Sequence, residues 1–140
     1  MPRTLDERIV IVDIDEKSLG RVGQWPWRRD KMAALVRELF ERQQVSVIGF
    51  DVLFAEADES SGLATLQELA QGPLRGQPAF QEQLKRLAPS LDYDVLFAQS
   101  LRGQPVVLGY YLSGEDRDGI TKGMLPDPAL PLERLRGLPL

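Results

Sequence analysis

Histidine and cysteine are both absent from this 140-residue chain. Their absence removes Ser/His and Cys/His nucleophilic catalysis and thiolate–zinc centres, which need those side chains as base, nucleophile or ligand. It also removes disulfides as a clue to compartment, since a chain without cysteine suits cytosol and periplasm equally. Long apolar runs are missing as well. The longest uncharged run, Gly103 to Gly114, has 12 residues and is broken by Pro105, against about 20 for a membrane-crossing helix. The start, Met1-Pro2-Arg3 followed by Asp6-Glu7-Arg8, has no signal-peptide pattern. A basic excess is absent too: 17 Lys and Arg against 21 Asp and Glu give a net charge of −4, so no nucleic-acid partner is indicated. Gly20-Arg21-Val22-Gly23 lacks the spacing of a phosphate-binding glycine loop.

What is present is an ordinary globular composition, 43% apolar and 27% charged, with enough length for one domain and a real core. Ile9 to Ile14 is almost wholly apolar and reads as a strand covered on both faces, after a polar lead-in over residues 1–7. Asp15 to Gly23 reads as a loop, and Pro26 makes Trp25-Pro26-Trp27 a stiff trio. Met32, Leu35, Val36, Leu39 and Phe40 form one apolar helical stripe, with Asp30 near the helix start, where a carboxylate suits the dipole. Val45 to Phe50 is a second apolar strand. Strand, helix and strand make a βαβ unit with parallel strands, whose carboxyl ends carry Asp13, Asp15 and Asp51.

Beyond Ala55 the signals are shorter. Glu56 to Gly62 is an acidic loop, Leu63 to Ala70 a short helix, and Phe80, Leu84 and Leu87 mark another that ends before Pro89. Asp92 to Arg102 reads as a helix and Val106 to Leu112 as a third strand, with Pro105 tolerated at its start. Residues 113–140 read as a Pro- and Gly-rich irregular tail with one helical turn near Glu133 to Arg136. Asp-Val-Leu-Phe-Ala occurs at 51–55 and again at 94–98, in a strand end and in a helix, and reads as coincidence. The expected fold is α/β: a central, mainly parallel sheet of at least three strands with helices on both faces.

Candidate ligand-binding residues gather at the strand carboxyl ends: Asp13, Asp15, Trp25, Trp27, Arg28 and Asp51. Trp25 and Trp27 can wall a ligand while Arg28 and Arg29 clamp an anion. The competing structural reading packs one Trp against the strand ends and pairs the arginines with Asp13, Asp15 or Asp51. The stiff proline spacing favours that reading. Asp13-x-Asp15 also matches the acid pair of a Mg²⁺-dependent phosphatase of the haloacid dehalogenase type, with Glu56 and Asp58 as the later acids. Glu16 stands where that motif has Thr or Val, and catalysis is the minor reading. Asp116-Arg117-Asp118-Gly119 fails as a calcium loop, because Gly114 and Leu125 would fall at the first and last ligand positions. No catalytic residue, metal or cofactor is assigned.

Three stretches carry a family resemblance: Ile11 to Leu19, Gln24-Trp25-Pro26-Trp27-Arg28-Arg29, and Gly49-Phe50-Asp51-Val52-Leu53-Phe54. Together they resemble a CHASE2 sensor domain, whose pattern is a strand ending in Asp, a Gly-x-Trp-Pro-Trp-x-Arg segment (here Gly23 to Arg29), a helix, and a strand ending in Phe-Asp-x-x-Phe. Asp94 to Arg102 and Val106 to Gly109 fit it more loosely, so the resemblance spans residues 8–112. It implies a non-enzymatic, extracytoplasmic input module of a bacterial receptor. Such modules follow one transmembrane helix, precede three more, and feed a cyclase, histidine kinase, Ser/Thr kinase or diguanylate cyclase. It also implies that this chain is the amino-terminal part of a longer domain. The partners expected are an unknown small-molecule or protein signal, the membrane helices and output domain of the same parent chain, and a second copy in a homodimer. A pure dimerisation module is the remaining alternative.

Overall fold

The computed structural model describes Asp6 and residues 8–109. In chain order these form α1 (Glu16–Val22), α2 (Arg29–Arg37) running on into a wide π-helical turn (Glu38–Arg42), β1 (Ile48–Phe50), α3 (Leu63–Gln71), α4 (Pro78–Leu91), α5 (Tyr93–Leu101) and β2 (Val106–Leu108). The class is mixed α/β. β1 and β2 pair in parallel with Ile48 beside Val106 and Phe50 beside Leu108.

The core lies between one face of this sheet and the α2–α5 pair. Met32, Ala33 and Val36 of α2, Phe97 of α5 and Ile48 of β1 are buried together, with Phe50, Phe54, Leu101 and Val106 packed around them. Of the apolar stripe foreseen on the α2 segment, Met32 and Val36 are buried, and Leu35, Leu39 and Phe40 pack half-buried against them. Phe50, Phe54 and Phe97 meet edge to face, at ring separations of 5.0 to 6.0 Å, a favoured geometry for aromatic quadrupoles. Gly109 follows β2: a Cβ there would stand 3.2 Å from the Val52 carbonyl oxygen, so a side chain would push that backbone away by a few tenths of an ångström.

Several expectations are corrected. Among the described residues the sheet has two strands, and Ile9 to Ile14 pairs with neither. A strand exists only when a neighbour takes up its backbone groups, which composition alone does not provide. Among the described residues helices do not cover both sheet faces: α4 packs on α5 and α3 on α4, away from the sheet, leaving Val107 64% exposed on the opposite face.

Asp15 to Gly23 is a helix rather than a loop. The Asp15 carboxylate accepts the Ser18 N–H at 2.9 Å, and Glu16 and Arg21 stand at the dipole ends that suit their charges. α4 passes through Pro89, in its last turn, where the lost amide costs one bond near an already frayed end. The third-strand segment forms as Val106–Leu108. Its residues from 110 on, the tail, its helical turn and the 116–119 loop lie outside the described residues.

Candidate functional site at the carboxyl end of the sheet

β1 ends at Phe50, and the chain then crosses the amino-terminal ends of α2 and α5. Arg29 is the hub there. It opens α2 and is 91% shielded from solvent, an unusual position for a guanidinium unless it is paired. Its backbone N–H donates to Asp58 Oδ2 at 2.6 Å and its Nη2 to the Glu56 carbonyl at 3.2 Å. Its Nε lies 3.4 Å from Asp94 Oδ1, and the guanidinium sits 4.5 Å over the Phe54 ring. Asp94 closes the ring of contacts by accepting the Asp58 N–H at 2.8 Å. Arg28, at the cap position of α2, makes no side-chain capping bond, so Asp58 supplies that acceptor from across the fold.

Burial pushes the Asp58 carboxyl up. Hydrogen bonds from Ser60 and from the Arg29 amide, with the Arg29 charge, outweigh it and hold the group below the ordinary carboxylate range. Beside Asp58 lies a cleft of about 230 Å³ between the 57–61 loop, the start of α3 and Asp92, the residue that caps α5.

The aromatic segment occupies the rim of this end. Gly23, at positive φ, turns its carbonyl to accept the Trp27 indole N–H at 2.7 Å, and Trp27 packs against the core. Trp25, joined to Pro26 by a cis peptide bond, stands 6.1 Å from Trp27 and is 39% exposed. Arg28 binds the Asp30 carboxylate with two donors and stacks 4.7 Å over the Tyr93 ring. The hydrogen-bonded Arg28 side chain holds the Asp30 carboxyl below its usual range. An anion arriving at Arg28 must therefore displace Asp30, whereas Trp25 offers an aromatic face without that competition.

The sequence-based candidates divide. Trp25, Trp27 and Arg28 come together in one turn beside Tyr93. Asp51 follows β1 and is exposed; Asp13 is exposed in the unpaired segment. Asp15 caps α1. The arginines pair with Asp30 and Asp94 rather than with Asp13, Asp15 or Asp51, as the structural reading had it. For the phosphatase alternative, Asp15 is engaged by Ser18, and Asp58 by Arg29 and Ser60. Among the described residues no group of three or more acids converges as a metal site. Tyr93 and Asp94 were missed as site residues: no local pattern announces a partner some 65 positions away, and only the Arg-Arg pair hinted that acceptors were needed.

The sheet end is thus closed by an arginine–aspartate ring and rimmed by the Trp-Pro-Trp turn. The CHASE2 domain family matches residues 1–136, and the chain belongs to that family, whose members are sensor domains of signalling receptors. No curated protein and no solved structure gives a significant match.

Proposed function

We propose that this chain is the extracytoplasmic signal-sensing part of a bacterial transmembrane receptor that relays a ligand or partner signal to a cytoplasmic cyclase or kinase. Membership of the CHASE2 family over nearly the whole chain carries this reading. The sensing surface is the rim formed by Trp25, Trp27 and Arg28, and Asp13, Asp15 and Asp51 are further groups for the signal to engage. The domain acts without catalysis. A signal that binds one arrangement of this rim better than another shifts the population between them, and the Arg29–Asp58–Asp94 ring passes the shift from the rim to α2 and α5. Membrane helices of the parent chain would carry it onward, and a second receptor copy is the expected partner. No described helix is itself long and apolar enough to cross a membrane.

These 140 residues hold no cysteine of their own, so the test compares labelling of a cysteine variant with that of the unmutated receptor. In the complete parent receptor, Gln83→Cys places one thiol on an exposed position of α4. A membrane-impermeant maleimide added to intact spheroplasts should label it. Labelling that appears only after lysis overturns the extracytoplasmic reading. In the same receptor, Trp25→Ala should change the basal or stimulated output of the cyclase or kinase at unchanged protein level; an unaltered output removes the rim from the sensing role.

A further inference from the structure

Ile9, Val10, Ile11 and Val12 are 73%, 79%, 88% and 58% exposed, the longest bare apolar run among the described residues. The same unit offers the complementary vacancy. Ile48 donates its N–H to the Pro105 carbonyl on the β2 side. By the alternation of a strand, Gly49 turns its N–H and C=O to the other edge, which no described strand occupies. Among the described residues the parallel two-stranded sheet is bare on an edge and a face, which makes it an incomplete unit.

We propose that the free edge of β1 is a docking surface for this chain's own Ile9–Ile14 segment, which adds there as a parallel strand. Handedness selects this edge over that of β2. The β1-to-β2 connection carries α5 on the same sheet face as α2, because both helices line one core with Ile48 and Val106. Right-handed crossovers that keep their helices on one face advance across the sheet in one direction. The segment that precedes α2 therefore belongs on the side of β1 away from β2, in the order 9–14, β1, β2.

Parity fixes the faces. Val10, Val12 and Ile14 form the wholly apolar set and turn toward the core side, leaving Ile9, Ile11 and Asp13 on the open side. Aligning the two carboxylate-bearing ends, Asp13 with Asp51, sets Ile11 beside Gly49. A side chain added at Gly49 meets nothing within 4 Å, so that side has room. Docking would carry Asp13 to the sheet's carboxyl end and supply the sensing rim with a second carboxylate beside Asp51. The docking itself does not depend on the sensing reading.

Paired cysteines in the otherwise cysteine-free chain test this. Ile11→Cys with Gly49→Cys should oxidise to an intramolecular disulfide that runs as monomer on a non-reducing gel, since neighbouring strands lie about 4.8 Å apart. Ile11→Cys with Val107→Cys, two strands away, should not. A Val107 crosslink puts the segment on the wrong edge, and a covalent dimer makes a second copy the occupant; either overturns the proposal. Amide exchange on the unmutated chain guards against a register slip or a disturbed variant. The amides of Val12 and Ile14, which face β1 in this register, should exchange at least about tenfold more slowly than those of an unstructured peptide; lack of protection at both overturns it. Neither readout involves receptor output, so the sensing reading can fail without it.

Discussion

Asp51–Ala55 and Asp94–Ala98 spell the same five residues and occupy different worlds. The first runs irregularly out of β1; the second is the body of α5. Asp51 is exposed, while Asp94 holds the Asp58 amide and the Arg29 guanidinium. Leu53 is bare and Leu96 half-covered; Val52 is half-covered and Val95 bare. The alanines are exposed in both copies, and the phenylalanines agree more tellingly: Phe54 and Phe97 both turn into the core and touch each other, at 5.0 Å. A five-residue word thus sets what a side chain can do, and the partners brought by the rest of the chain decide what it does.

The largest effect expected from breaking this likeness is at the shared phenylalanine. Phe97 is 6% exposed and meets both other rings of the trio. Phe97→Ala should cost about 3–5 kcal/mol in a urea unfolding curve. Phe54→Ala should cost visibly less, because its ring is only half-covered and keeps one face under Arg29. Equal losses would mean that the two copies share burial as well as sequence.

The same contrast separates what the sequence made legible from what it did not. The α2 stripe, α5 and the β2 segment could be read because periodicity and capping are local, as Asp92 shows by accepting the Val95 N–H. α1 was hidden because its seven residues bury nothing: the helix rests on Asp15 and on end charges, and no apolar stripe records it. The Ile9–Ile14 run was legible as strand-forming, but its pairing was not. An apolar β-branched run announces an appetite for a partner, and the described residues hold that segment unpaired. At the site, Trp25-Pro26-Trp27-Arg28-Arg29 was visible as a motif, but Asp58, Tyr93 and Asp94 reach it through tertiary contacts alone.

A smaller effect is expected at the arginine hub. Arg29→Ala removes the Asp94 pair, the Glu56 bond and the stack on Phe54, yet Asp58 keeps its bond to the backbone amide of residue 29. Since the Asp94 side chain is 43% exposed, water screens that pair. A loss of about 1–3 kcal/mol in the same unfolding assay is expected, in the range for charged hydrogen bonds. Asp94→Asn should cost about 1 kcal/mol, as its oxygen can still accept the Asp58 amide. A null result at both positions would strip Asp94 of its distinction from Asp51.

Acid should loosen the same corner. Asp58 and Asp30 have folded-state pKa values below the ordinary 3.8. A depressed carboxyl contributes stability that is fully present above its unfolded pKa and is lost as pH falls through the folded one. The melting temperature should therefore hold steady from neutrality down to about pH 4–5 and fall below that. Asp58→Asn should flatten part of that fall while lowering the plateau. An acid limb unchanged in the variant would show that Asp58 is not one of its sources.

The smallest effect belongs to Asp51. It is exposed, and no described side chain pairs with it, so Asp51→Asn should shift stability by no more than about 0.5 kcal/mol. The sign is informative where the size is not. If Ile9–Ile14 docks on β1 with Asp13 aligned to Asp51, two carboxylates stand at neighbouring strand ends and repel each other. Removing one then stabilises slightly, more at low salt than at high salt, because exposed charges are screened over about 10 Å at 0.1 M. With the segment undocked, Asp51 has no such neighbour and the substitution should be indifferent to salt. Unfolding curves of Asp51→Asn and of Asp13→Asn at 10 mM and 500 mM salt separate the cases. Matching, salt-sensitive gains in both variants support the docked strand, and salt-independent values in both count against it.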